Sequence, residues 1–88
     1  MRPEALLRVA DEFCAARRTH IRSFPAIVAL AALFDASIHG VPLYRNATEK
    51  ASHIRSATQD LRPLAQHNDD FGRMLAALAT TLSSERFL

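Results

Sequence analysis

His20, His39, His53 and His67, the single Cys14 and the adjacent Asp69 and Asp70 are the residues from which a catalytic or metal centre could be built. A zinc site favours ligands three or four residues apart on one helix face, and no histidine stands at that distance from another histidine or from Cys14. Solvated or hydrogen-bonded imidazole is therefore the reading at each position. Neighbours on a helix point apart, so Asp69 and Asp70 suit the cap of a helix better than a paired acid and base. Gly40 and Gly72 are the only glycines, which excludes a glycine-rich phosphate loop. No nucleophile elbow surrounds any serine. A small enzyme would have to line its pocket with His67, Asn68 and Asp70, the weakest of the functional readings. The sequence predicts no catalytic residue, no metal and no cofactor.

Arginine is the other group with chemical reach. Of the 11 Lys and Arg residues only Lys50 is lysine, and arginine suits bidentate contact with phosphate or carboxylate. Arg17, Arg18, His20 and Arg22 form the most basic stretch, which reads first as complementation of a helix end followed by a solvated turn. Arg55, Ser56, Thr58, Gln59 and Arg62 are groups suited to base edges and phosphates. Their surroundings resemble helix-turn-helix regulators, with Ala47–Ser52 as first helix, His53 and Ile54 in the turn, and Ser56–Gln66 as recognition helix. Gln59 and Arg62 stand where that motif needs apolar residues, Pro63 interrupts it and no β-wing follows. A formal charge of +2 is also a weak footprint for a dedicated nucleic-acid binder. The candidate contacts for a protein or nucleic-acid partner are Arg17, Arg18, Arg22, Arg55, Gln59 and Arg62.

The elements that position these residues are organised around Phe24 to Phe34, where every residue is apolar. Such a helix is expected to be buried all round. Ser23 can cap it, Pro25 suits its first turn, and Gly40 with Pro42 signals its end, giving a helix at about 25–39. It is shorter than the roughly 20 apolar residues a bilayer requires and is closed by Asp35, so no membrane span is expected. Before it, Leu6, Val9, Ala10 and Phe13 recur on one face of a helix at 3–17. After it, Val41 to Tyr44 reads as extended, with Tyr44 at the core edge and its hydroxyl wet. Asn46 and Glu49 open a third helix at 47–61 in the manner of a capping box. Its thin stripe makes it the helix expected to move or meet a partner. Phe71, Met74, Leu75, Leu78, Ala79 and Leu82 give the cleanest amphipathic pattern, a helix at 69–83 expected to pack on the central one.

The fold class predicted is all-α, a four-helix bundle in one domain spanning 1–88, with 84–88 a frayed tail. An 88-residue chain, 49% apolar but rich in alanine and without Trp, has a small stability margin. Self-association is one remedy. The lone Cys14, read as a small packed hydrophobe, suits a reducing cytoplasm. The segment Gly40-Val41-Pro42-Leu43-Tyr44 followed by Glu49-Lys50-Ala51 resembles the stretch before the active-site loop of Fic/Doc-type nucleotide- or phosphate-transferring proteins. Set against that family's His-Pro-Phe-x-Asp/Glu-Gly-Asn-x-Arg loop, Arg62 to Asp70 keeps only Pro63 and Asn68. Arg62 replaces the catalytic His, Gln66 the metal carboxylate and Asp70 the phosphate-binding Arg, so the resemblance implies a catalytically degenerate fold. The main functional expectation is a small non-enzymatic binding or regulatory module acting through a protein partner or a homodimer. A degenerate helix-turn-helix at 47–66 binding DNA is the first alternative and the Fic/Doc-like fold the second.

Overall fold

The computed structural model describes the backbone of residues 1–35, 37–38, 41–42 and 44–86, and the side chains of 1–35 and 44–82. Four helices, α1 (Pro3–Arg17), α2 (Phe24–Phe34), α3 (Ala47–Leu61) and α4 (Asn68–Arg86), form the expected all-α bundle. Strands β1 (Ser37–Ile38) and β2 (Val41–Pro42), antiparallel with Ile38 opposite Val41, make a short hairpin between α2 and α3.

The helix starts follow from local chemistry. Pro3 occupies the first turn of α1 with Glu4 beside it, where a missing N–H and a negative charge both suit the helix start. The Ser23 hydroxyl oxygen accepts from the Ala26 N–H at 3.2 Å and opens α2, and Asn46 Oδ1 accepts from the Glu49 N–H at 2.8 Å and opens α3. The bounds of α1 and α3 are those the sequence predicts. By contrast, α2 stops at Phe34 rather than near 39. The Asp35 N–H closes a tight last turn on the Ala32 carbonyl, and Ser37 and Ile38 then pair with Val41 and Pro42 in place of continuing the helix. Gly40, the expected stop, lies outside the described residues, as does Leu43. Helix α4 starts at Asn68 and continues to Arg86, into the segment expected to fray; Phe87 and Leu88 lie outside the described residues.

One core joins all four helices. Leu6, Ala10, Phe13 and Cys14 from α1 meet Ile27, Leu30, Ala31 and Phe34 from α2, Ile54 from α3, and Phe71, Leu75 and Ala79 from α4. The Phe13 and Phe71 rings tilt against each other with centroids 5.1 Å apart.

Two expectations about this core are corrected. First, α2 is not buried all round: Phe24 is 61% and Val28 51% exposed, and Pro25, Ala29 and Ala32 are exposed with them. Its other face, Ala26, Ile27, Leu30, Ala31 and Phe34, is fully in the core. An apolar face is buried only where another element covers it, and among the described residues the principal neighbours of α2 are α1 and α3, which share a core with Ile27, Leu30, Ala31 and Phe34. Second, α4 packs chiefly on α3, not on α2, and α3 is the most extensively engaged helix rather than the loosest. Gly72 allows this, since a Cβ there would lie 3.2 Å from Thr58 Cβ and 3.3 Å from the Arg55 carbonyl oxygen. Thr58 is fully buried at that contact, and its hydroxyl is satisfied by donating to the Ile54 carbonyl at 2.7 Å.

Candidate functional site

Two places on the molecule collect groups able to recognise something else: the end where both interhelical joints lie, and the outer face of α2. The joints are segments 18–23, between α1 and α2, and 62–67, between α3 and α4. They run side by side, tied by an antiparallel bridge between Ile21 and Leu64. The Ala65 N–H donates to the His20 carbonyl at 2.9 Å, and the Arg22 and Ser23 N–H groups donate to the Pro63 carbonyl at 2.7 and 3.1 Å. The Gln66 N–H donates to Thr19 Oγ1 at 3.1 Å, and Asn68 folds its side-chain amide onto both the N–H and the carbonyl of Leu64 at 2.9 Å. Asn68 therefore pins the joint rather than capping α4 in the expected way. Backbone groups that two loops would otherwise leave to water thus satisfy one another.

This architecture decides what the candidate arginines do. Arg22 sends Nε to the Arg62 carbonyl at 2.6 Å and a terminal nitrogen to the Leu61 carbonyl at 2.8 Å, closing the C-terminal end of α3. Arg17 contacts Asp70 at 3.3 Å and lies over the Phe13 ring at 4.9 Å. Gln59 donates to Asp69 Oδ1 at 2.8 Å, while Arg55 and Arg73 approach the same carboxylate at 4.0 and 3.2 Å. Arg17, Arg22, Arg55 and Gln59 are thus engaged within the chain, and Asp69 and Asp70 tie α4 to α3 and α1. Arg18 and Arg62 are exposed at the C-caps of α1 and α3, both with left-handed backbone (φ 57° and 48°), a conformation that usually selects glycine. His67, which precedes α4, shares it at φ 65°.

Six arginines (Arg17, Arg18, Arg22, Arg55, Arg62, Arg73) stand in or within seven residues of the two joints, together with Asp11, Glu12, Asp60, Asp69 and Asp70, a formal +1 on a chain whose total is +2. The sequence reading found the local cluster at 17–22 but had no means of seeing that the second joint lies beside it.

The helix-turn-helix expected at 47–66 is not formed. Residues Ala47–Leu61 are one unbroken helix, with no turn at His53 and Ile54, and Arg62 to Gln66 belong to the joint instead of a recognition helix. No glycine or proline interrupts the segment, so nothing breaks it before Arg62. The stretch set against the Fic/Doc-type loop is likewise a closed joint, with Pro63 and Leu64 buried.

The second place is the ridge of Phe24, Val28 and Ala32, three residues spaced by four along the outer face of α2 and flanked by Pro25 and Ala29. No polar side chain interrupts it. Uniform apolarity had concealed it, because a run with no polar face gives no sign of which side stays open.

Cys14 and Tyr44 are two further groups that could do chemistry. Cys14 is buried, and loss of solvation together with the nearby Asp11 carboxylate pushes its thiol pKa up, away from the reactive thiolate. Tyr44 stacks obliquely on His53 with centroids 5.5 Å apart. Its hydroxyl is out of water and without a hydrogen-bond partner among the described residues, contrary to the wet position expected, and desolvation raises its pKa. Among the described residues no group of three or more His, Cys, Asp or Glu could hold a metal ion, and no helix is long and apolar enough to cross a membrane. Comparison with protein-family models, curated proteins and solved structures gives no match to this chain, so the reading of its function rests on these two surfaces alone.

Proposed function

We propose that the protein is a small cytoplasmic, non-enzymatic interaction module that binds another polypeptide, or a second copy of itself, through the outer face of α2. The observation that carries the reading is the exposure of Phe24 and Val28 on a helix without a single polar side chain. Contiguous apolar surface on a small domain marks a contact site more often than idle surface, and helix-on-helix docking uses anchors spaced by three or four residues. A photo-crosslinking residue in place of Val28 tests it. Illumination is expected to give a covalent adduct with a polypeptide from position 28 and none from the same residue at Arg73, on the exposed side of α4. Equal adducts from both positions, or none from position 28, count against the reading.

The two exposed cap arginines at the adjoining joints favour a second reading, contact with a polyanion. Arg18 and Arg62, which hold no carboxylate among the described residues, are its natural contacts. Affinity for duplex DNA would then fall by about 0.9 log units per phosphate contact for each tenfold rise in salt and drop further in Arg18→Ala with Arg62→Ala. Binding that ignores salt or survives both substitutions excludes it.

A further inference from the structure

We infer that the polyanion met by the joint end is single-stranded nucleic acid, with phosphates on Arg18 and Arg62 and a base stacked on His20. This rests on the reading of the joint end as a polyanion contact and names the ligand.

The two joints carry the observation. Segments 18–23 and 62–67 contain Arg18, His20, Arg22, Arg62 and His67 and no acidic residue. Along the first of them Arg18, His20 and Arg22 are exposed, while Thr19, Ile21 and Ser23 are half-buried. The alternation follows from pairing, since Ile21 faces Leu64 in the bridge and an extended chain turns every second side chain outward. Residues two apart in such a segment stand roughly 6–7 Å apart, a step comparable to that between successive phosphates of an extended strand. The second joint adds a group at each end of this row. The Arg22 Nε donates to the Arg62 carbonyl at 2.6 Å, and the hydrogen bond from Gln66 to Thr19 at 3.1 Å joins the neighbours of His67 and Arg18.

The surrounding acids leave this row cationic. Asp69 is held by Gln59, Arg55 and Arg73, and Asp70 by Arg17. Asp11 and Glu12 lie about 10 Å back along α1 from Arg18, a distance over which salt screens exposed charges. Asp60 stands two residues before Arg62, a spacing at which helical side chains point apart. Arg22 keeps its charge, because its partners are the carbonyl oxygens of Leu61 and Arg62 rather than a carboxylate.

Two features select a single strand. The exposed imidazoles of His20 and His67 stand beside the arginines, and ring faces next to cations are how unpaired bases are held. A duplex is read by an element laid in its groove, and the recognition helix that would enter one is not formed. Glycine would adopt the left-handed backbone at 18 and 62 without strain, so the two arginine side chains are kept there at a cost in stability.

Fluorescence anisotropy of the full chain tests this, with labelled oligothymidylate and oligouridylate of about ten nucleotides, a duplex of the same length, and tripolyphosphate as competitor. Either single strand bound as follows supports the inference. It is expected to bind at least about tenfold more tightly than the duplex. Its affinity should fall by about 1.4 log units per tenfold rise in salt, about 0.7 for each of two phosphate contacts. Arg18→Gly and Arg62→Gly suit their backbone, stay folded, and should each lower that slope by about 0.7. His20→Ala should cost about tenfold in affinity, and His20→Phe, which keeps a ring, should restore it. Arg8→Ala, exposed on α1 and outside both joints, should change nothing. Duplex bound as tightly as single strand, His20→Ala without effect, or displacement by tripolyphosphate at equal phosphate concentration overturns the single strand. The polyanion reading then survives if both glycine variants still weaken binding. No salt-dependent binding of any probe, or binding that survives both glycine substitutions, overturns both.

Discussion

The two halves of this molecule share one layout and end differently. Each is a helical hairpin: a 15-residue helix, an exposed arginine in left-handed conformation, a joint and a second helix. The buried Ala10, Phe13 and Cys14 of α1 have counterparts in Ile54, Ala57 and Thr58 of α3, which turn inward at the same places. The fifth residue of each second helix marks the difference. In α4 it is Gly72, against which Thr58 of α3 closes; in α2 it is Val28, which stands in solvent. The hairpin with the more polar sequence is the one that packs tightly, and the apolar one leaves a face open. Apolar composition says how much surface would gain from burial, and the shape of the neighbours says how much of it is buried.

Substitutions can break or sharpen this contrast. The largest effect is expected inside the face of α2 that is buried: Leu30→Asp places a carboxylate with no partner at a fully buried position, a cost of several kcal/mol that unfolds a chain of this size. Its cooperative thermal transition should be absent. Next comes the closed hairpin, where Gly72→Val drives branched carbons into Thr58 and the Arg55 carbonyl and should cost about 1–3 kcal/mol in a urea titration. In the shared joint, Asn68→Ala strips Leu64 of its bonds to both backbone groups and should cost about 1–2 kcal/mol by the same measurement. The smallest change is a gain. Arg62→Gly relieves left-handed strain at the C-cap of α3 and should raise stability by about 0.5–1 kcal/mol.

Much of the fold was legible in the sequence. Capping residues and apolar periodicity placed α1 and α3 at their observed ends, and Ser23 and Asn46 cap as their positions imply. The C-terminal end of α2 was not legible. Gly40 and Pro42 advertised a stop, but the β-forming Ile38 and Val41 left the helix earlier by pairing with each other. Partnerships between helices were harder still. Gly72 carried the signal for the α3–α4 contact, yet a glycine within an amphipathic run says only that something comes close, not which helix does. The joint was invisible for a related reason. Arg17, Arg18, His20 and Arg22 formed a visible local cluster, whereas their pairing with 62–67 runs through backbone groups that every residue possesses. The open ridge of α2 left no trace because none of its residues differs in polarity from its buried neighbours.

We propose that the exposed face of α2 serves association and not folding. Sedimentation equilibrium of the wild type and Val28→Asp across a wide concentration range, with thermal melts of both, tests it most directly. The variant is expected to keep the wild-type melt to within about 0.5 kcal/mol, as surface substitutions do, and to stay monomeric where the wild type associates. A Val28→Asp chain that fails to fold, or that associates as strongly as the wild type, would contradict it.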